Sequence, residues 1–89
     1  MLEKVKLSLR ITTNKLDSEI TDLIEACKID LSIGGVLKID ETDPIVQRAI
    51  ILYCKAHFGL SNADSEKYLS SYEMLRTNLK LCGDYNVIQ

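Results

Sequence analysis

The chain is 89 residues long, with 46% hydrophobic and 27% charged side chains, which gives room for one core and none for a catalytic domain joined to a regulatory one. That composition excludes the apolar-poor, highly charged signature of disorder. Eleven basic against thirteen acidic side chains leave a formal charge of -2, which removes the broad attraction that sequence-independent nucleic-acid binding requires.

No apolar run approaches the roughly 20 residues of a membrane span. The opening MLEKVKLSLR places charges where a signal peptide needs an unbroken apolar stretch, so the expectation is a soluble, unexported chain. A single domain over residues 1–89 buries only about 60 to 65% of its unfolded surface, and self-association is expected to supplement its core. Cys27, Cys54 and Cys82 are odd in number, about 27 residues apart and without a CxxC pair. They read as reduced thiols rather than as a disulfide framework or a zinc knuckle.

In chain order, the N-terminal segment is ambiguous. Val5, Leu7, Leu9 and Ile11 alternate with Lys6, Ser8 and Arg10 as in a strand, whereas Leu2, Val5 and Leu9 suit a short helix over residues 2 to 9. From Asp17 to Ile33, the spacing of Ile20, Leu23, Ile24, Cys27 and Leu31 predicts one helix face, with Asp17 as N-cap and Glu19 and Asp22 near the positive end of the helix dipole. Gly34-Gly35 supplies the left-handed residue that ends such a helix.

Thr42-Asp43-Pro44 starts a third helix, through a capping oxygen and a proline in the first turn, running to about Phe58. Ile45, Val46, Ala49, Ile50, Ile51, Leu52, Tyr53, Cys54, Ala56 and Phe58 make it apolar around most of its circumference, hence central. Gly59 through Asp64 form a break. A fourth helix over residues 65 to 81 places Leu69, Tyr72, Leu75 and Leu79 on one face beside Tyr68, and Gly83 closes it. The fold class is therefore all-α, a small bundle of about four helices with a short extended C-terminal tail. Val36 to Ile39 and Tyr85 to Ile88 are strand-like but too short for a sheet of their own. The tail carries Tyr85, Val87 and Ile88, more apolar surface than a merely solvated terminus: these residues either fold back on their own helices as the rim of the core or form the candidate partner interface.

Two constellations bear on chemistry. Cys54 and His57 lie three apart on one helix, as a nucleophile and base or two metal ligands would, but buried free cysteine usually acts as a small hydrophobe, and His57 suits the negative end of its helix. Asp40, Glu41 and Asp43 lack the spacing of a calcium loop and fit the start of the third helix. Gly34-Gly35 has no GxGxxG or GxxxxGK context. The scattered Lys4, Lys6, Arg10, Lys28, Arg48, Lys55, Arg76 and Lys80 read as a solvated surface. No catalytic residue, cofactor or metal is expected.

The order of elements resembles the small head-tail connector (DNA-packaging or head-completion adaptor) proteins of long-tailed phages and prophages. The resemblance rests on Leu2-Glu3-Lys4-Val5-Lys6 with Leu9-Arg10-Ile11, then Asp17, Ile20 and Leu23-Ile24-Glu25-Ala26-Cys27, and then Gly34-Gly35 and Asp43-Pro44. It continues through Ala49 to Gly59, Tyr72-Glu73-Met74-Leu75, Leu79 and Gly83-Asp84-Tyr85. It implies an all-helical fold, with residues 2 to 9 helical, and no enzymatic activity. The implied role is a ring-forming adaptor, roughly twelvefold when assembled, that binds below the portal and extends the DNA channel from head to tail. Its partners would be further copies of itself, the portal and a tail-completion or stopper protein, with DNA only as passing cargo and no membrane. Its location would be the head-tail junction of the virion, after the host bacterial cytoplasm. A small helical DNA-binding regulator or antitoxin-like module is the alternative, and needs a basic exposed helix.

Overall fold

Four amphipathic segments each bury one stripe, and the stripes meet in one core. The computed structural model describes residues 1–58 and 64–86, and its regular structure among them is helical: α1 (Leu2–Leu9), α2 (Asp17–Ile33), α3 (Pro44–His57) and α4 (Ser65–Leu81). The break at Gly59–Ala63 and the tail residues Val87 and Ile88 lie outside the described residues.

The N-terminal ambiguity resolves to a helix, which buries Val5 and turns Leu7 out to solvent instead of aligning the two as a strand would. Arg10 closes α1 in a left-handed conformation (φ 59°, ψ 42°), with Ile11 N–H donating to the Lys6 carbonyl and Arg10 N–H to the Leu7 carbonyl. This is the double bond pattern of a glycine-type helix stop built on a residue with a Cβ.

At the start of α2 the structure corrects one expectation. Asp17 is the first helical residue, Leu16 occupies the cap position, and no side chain caps the helix. The Asp17 carboxylate instead forms an ion pair with Lys6 Nζ at 2.8 Å, and Asn14 Oδ1 accepts a hydrogen bond from the same ammonium at 3.1 Å. Lys6 is buried to 5% exposure, so its charge requires these partners, and a tertiary ion pair has taken the carboxylate from capping.

The C-terminus of α2 follows the glycines. Gly34 remains right-handed and Gly35 takes φ 97°. Val36 N–H donates to the Leu31 carbonyl and Gly35 N–H to the Ser32 carbonyl, while Leu31 and Val36 are both fully buried, the apolar contact that completes this stop. At α4 the glycine works differently: Cys82 is the extended C-cap (φ -88°, ψ 122°), and Gly83 does not use positive φ.

Asp43 caps α3 as expected, its Oδ1 accepting from Ile45 N–H at 2.8 Å, with Pro44 in the first turn. α3 buries Val46, Ala49, Ile50, Leu52 and Cys54, and it packs most extensively on α4, then on α2, and also on α1. Ile20, Ile24, Cys27 and Leu31 from α2, Tyr72 and Leu79 from α4, with Val5 and Val36, complete the core. Nearly all-round apolarity therefore makes α3 the axis around which the other helices bury their stripes.

Candidate assembly surface

Where α2 meets α4, the apolar interface is pinned by polar groups. The Tyr72 hydroxyl donates to Asp30 Oδ2 at 2.5 Å, and Arg76 Nη1 donates to the same oxygen at 2.7 Å. Cys27 Sγ lies 3.9 Å from the Tyr72 oxygen, the Arg76 guanidinium lies over the Tyr72 ring, and the Tyr53 ring meets Tyr72 edge-on. Burial, reinforced by the bond to Asp30, raises the Tyr72 phenol well above its ordinary range, so it remains a hydrogen-bond donor. Arg76 and Lys6 are thus structural cations rather than members of a solvated surface.

The residues with chemical potential do not converge. Cys54 is buried, and burial pushes its thiol up to about 12, away from the thiolate a nucleophile needs. His57 is exposed in the last turn of α3, its ring 4.3 Å from the Tyr53 ring. The three cysteines are free, and burial also pushes Cys27 up to about 12. Among the described residues there is no group of three or more His, Cys, Asp or Glu placed to hold a metal ion, and no helix is long and apolar enough to cross a membrane.

Asp40, Glu41 and Asp43 are each committed locally. Asp40 Oδ1 accepts from the Thr42 hydroxyl and N–H, which holds its carboxyl below the usual range. Glu41 pairs with Lys28 at 3.3 Å, and Asp43 caps α3.

The part of the tail that is described folds back on the bundle. The Tyr85 hydroxyl donates to Asp43 Oδ2 at 2.7 Å, and the Tyr85 carbonyl accepts from Leu37 N–H at 2.7 Å and Lys38 N–H at 3.0 Å. The bond to Asp43, then burial, pushes the phenol up to about 12, while the same bond and the Ile45 N–H lower the Asp43 carboxyl. Tyr85 is therefore anchored to the bundle.

What remains unpartnered is apolar surface. Leu7 is 80% exposed, Ile29 61% and Ile33 81%, with Leu37, Ile45, Met74 and Leu81 also exposed. Isolated apolar side chains need no explanation. Ile29 and Ile33, however, are one helical turn apart on α2 and so share a face, while Leu7 and Ile11 line a groove of about 460 Å³ with Glu3, Lys6, Thr12 and Asn14. Sequence reasoning missed these residues, although Ile29 and Ile33 fall off the Ile20, Ile24, Cys27, Leu31 stripe and were visible as apolar positions on the wet side.

This helical chain, with a filled core and its unpartnered groups on the outside, matches the model of the phage connector protein family over residues 1–86. The chain belongs to that family, whose members are phage structural proteins. No curated protein and no solved structure matches it.

Proposed function

We propose that the chain is a head-tail connector whose copies close into a ring, roughly twelvefold when templated by the portal, beneath the portal vertex. The ring continues the DNA channel toward the tail and receives the tail-completion or stopper protein on its far side, with DNA as passing cargo. The chain acts as one domain without catalysis, and waits in the host cytoplasm until heads are filled. The family match along residues 1–86 carries this reading. The slightly acidic net charge supports it, since a channel wall of weak charge does not retain DNA.

The tail supplies a partner contact through Tyr85, Val87 and Ile88. Tyr85 is held to α3 and to the segment after α2. Deleting residues 87 to 89 is expected to leave the melting temperature unchanged while weakening attachment to portal-bearing heads. A large drop in stability would place those residues in the core.

Electron microscopy of head-tail junctions labelled through this chain tests the main reading. Density around the channel axis below the portal is expected. Virions that lack the chain, or carry it elsewhere, overturn the assignment.

A further inference from the structure

Among the described residues, the Leu7–Ile11 and Ile29–Ile33 faces lie at opposite ends of α2. Lys6 Nζ sits 2.8 Å from Asp17, so the Leu7–Ile11 groove stands beside the N-terminus of that helix. Ile29 and Ile33 lie 12 and 16 residues further on, about 18 and 24 Å along the axis at 1.5 Å per residue, in a molecule whose longest extent is 38 Å. Patches so separated cannot cover each other within one chain. They also differ in shape, one a groove and the other a ridge: made once per pair of copies, a contact between them is head-to-tail, the type that closes into rings, whereas the same contact made twice closes a two-fold dimer and stops there.

Charge gives this contact a direction. Along α1, Glu3 precedes Leu7 and Arg10 follows it, all exposed. Along α2, exposed Asp22 and Glu25 precede Ile29 and Ile33, and beyond Gly35 the helix end is overlaid by the Lys80 side chain. Lys4 is turned to Gln47 of α3 and Lys28 pairs with Glu25, so Glu3 and Arg10 flank the first face and Asp22 and Lys80 the second, and each reads negative, apolar, positive. Laid antiparallel, the two bring Arg10 toward Asp22, and Glu3 toward Lys80, with Leu7 between Ile29 and Ile33. The parallel arrangement sets like charges together at both ends.

We infer that the Leu7–Ile11 groove of one copy receives the Ile29–Ile33 ridge of the next, and that this is the repeating contact of the ring. The inference rests on the connector reading above, and names the surface through which copies associate. Met74 and Leu81 do not serve equally well: they are seven residues apart with Thr77 and Asn78 between them, and Glu73 is the charge nearest to Met74 in sequence.

Disulfide trapping tests it. In a Cys82→Ser background, Leu7→Cys and Ile33→Cys are introduced singly and together, both at exposed positions that leave the core intact. The protein is then loaded on portal-bearing heads and oxidised. The double variant is expected to give a ladder of covalent oligomers on a non-reducing gel, and each single variant to remain monomeric. Arg10→Glu and Asp22→Lys are each expected to reduce the ladder about tenfold, and their combination to restore it. A double variant retained on heads without a ladder, a ladder from either single variant, or a charge pair that fails to restore it overturns the interface while leaving the connector reading intact. Failure of the unsubstituted chain to be retained on heads overturns both.

Discussion

Tyr72 and Asp30 provide a test in which the sign of a mutational effect should reverse with background. The Tyr72 hydroxyl is 1% exposed as a residue and donates to a carboxylate 2.5 Å away. A hydrogen bond to a charged group contributes about 1.5–3 kcal/mol, and a buried hydroxyl left without an acceptor loses about 1–3 kcal/mol. The Arg76–Asp30 pair, with side chains 28% and 35% exposed, adds less than about 1 kcal/mol. Asp30→Ala should therefore destabilise by about 2–4 kcal/mol, mostly through the stranded phenol, a large share of the 5–15 kcal/mol typical of a domain. Tyr72→Phe alone should cost about 1–2 kcal/mol, because Asp30 keeps Arg76 and access to water. In the Asp30→Ala background, the same Tyr72→Phe change removes an unpaired buried hydroxyl and should be neutral or stabilising. Urea unfolding of the four proteins gives the coupling directly, provided the slopes agree. If Tyr72→Phe has the same cost in both backgrounds to within about 0.5 kcal/mol, the pair does not hold α2 to α4 and the account is wrong.

Ile50→Ala, at the buried face of α3, should cost about 2–5 kcal/mol by chemical denaturation, and an unchanged midpoint would remove α3 from the core. Stability should fall as pH rises above 9. The unfolded thiols ionise near 9.0 while Cys27 and Cys54 in the fold retain their protons to about 12, so the contribution is complete below 9 and lost between 9 and 12. Cys54→Ala should flatten that decline in melting temperature. At the acid end, the lowered carboxyl of Asp43 contributes stability above the ordinary aspartate range and loses it as pH falls through its folded value, and Asp43→Ala should blunt that loss, measured the same way. Arg10→Gly should stabilise by about 0.5–1 kcal/mol, because glycine adopts the left-handed stop without a Cβ clash; destabilisation would show that the Arg10 side chain contributes more than its backbone costs.

Features encoded within a few residues were legible in the sequence. The Asp43-Pro44 start and the Gly34-Gly35 stop depend on backbone groups nearby in the chain, so spacing alone locates them, and the apolar circumference of α3 announces its place. Features that depend on a distant partner were not. Asp17 has the right type and position for a cap, but a buried ammonium eleven residues earlier recruits its carboxylate, and no local pattern encodes that Lys6 turns inward. Arg76 looked like a surface cation because its acceptor, Asp30, lies 46 residues away. The exposed Leu7 was hidden by the strand-like alternation of the N-terminus: a period of two groups it with Val5 and Leu9, whereas a period of 3.6 separates it from both.

The polar groups the sequence concealed also determine how well the surface can work as an assembly contact. A head-to-tail ring closes only if the two contacting faces keep a fixed spacing and angle, because any change per subunit is repeated around the ring. Here the groove is tied to the N-terminal end of α2 by Lys6–Asp17, and the far end of α2 is tied to α4 by Asp30 with Tyr72 and Arg76. Both pins hold α2, the helix that carries the ridge and spans the distance to the groove. Apolar burial alone is non-directional and tolerates sliding of one helix on another, whereas the hydrogen bonds of Asp30 at 2.5 and 2.7 Å and the Lys6–Asp17 ion pair at 2.8 Å weaken as their distances and angles change. The apolar core thus supplies the stability of the bundle, and the two polar pins fix its geometry. For the ring proposed above, removing a pin should therefore impair closure more than the loss of monomer stability alone predicts.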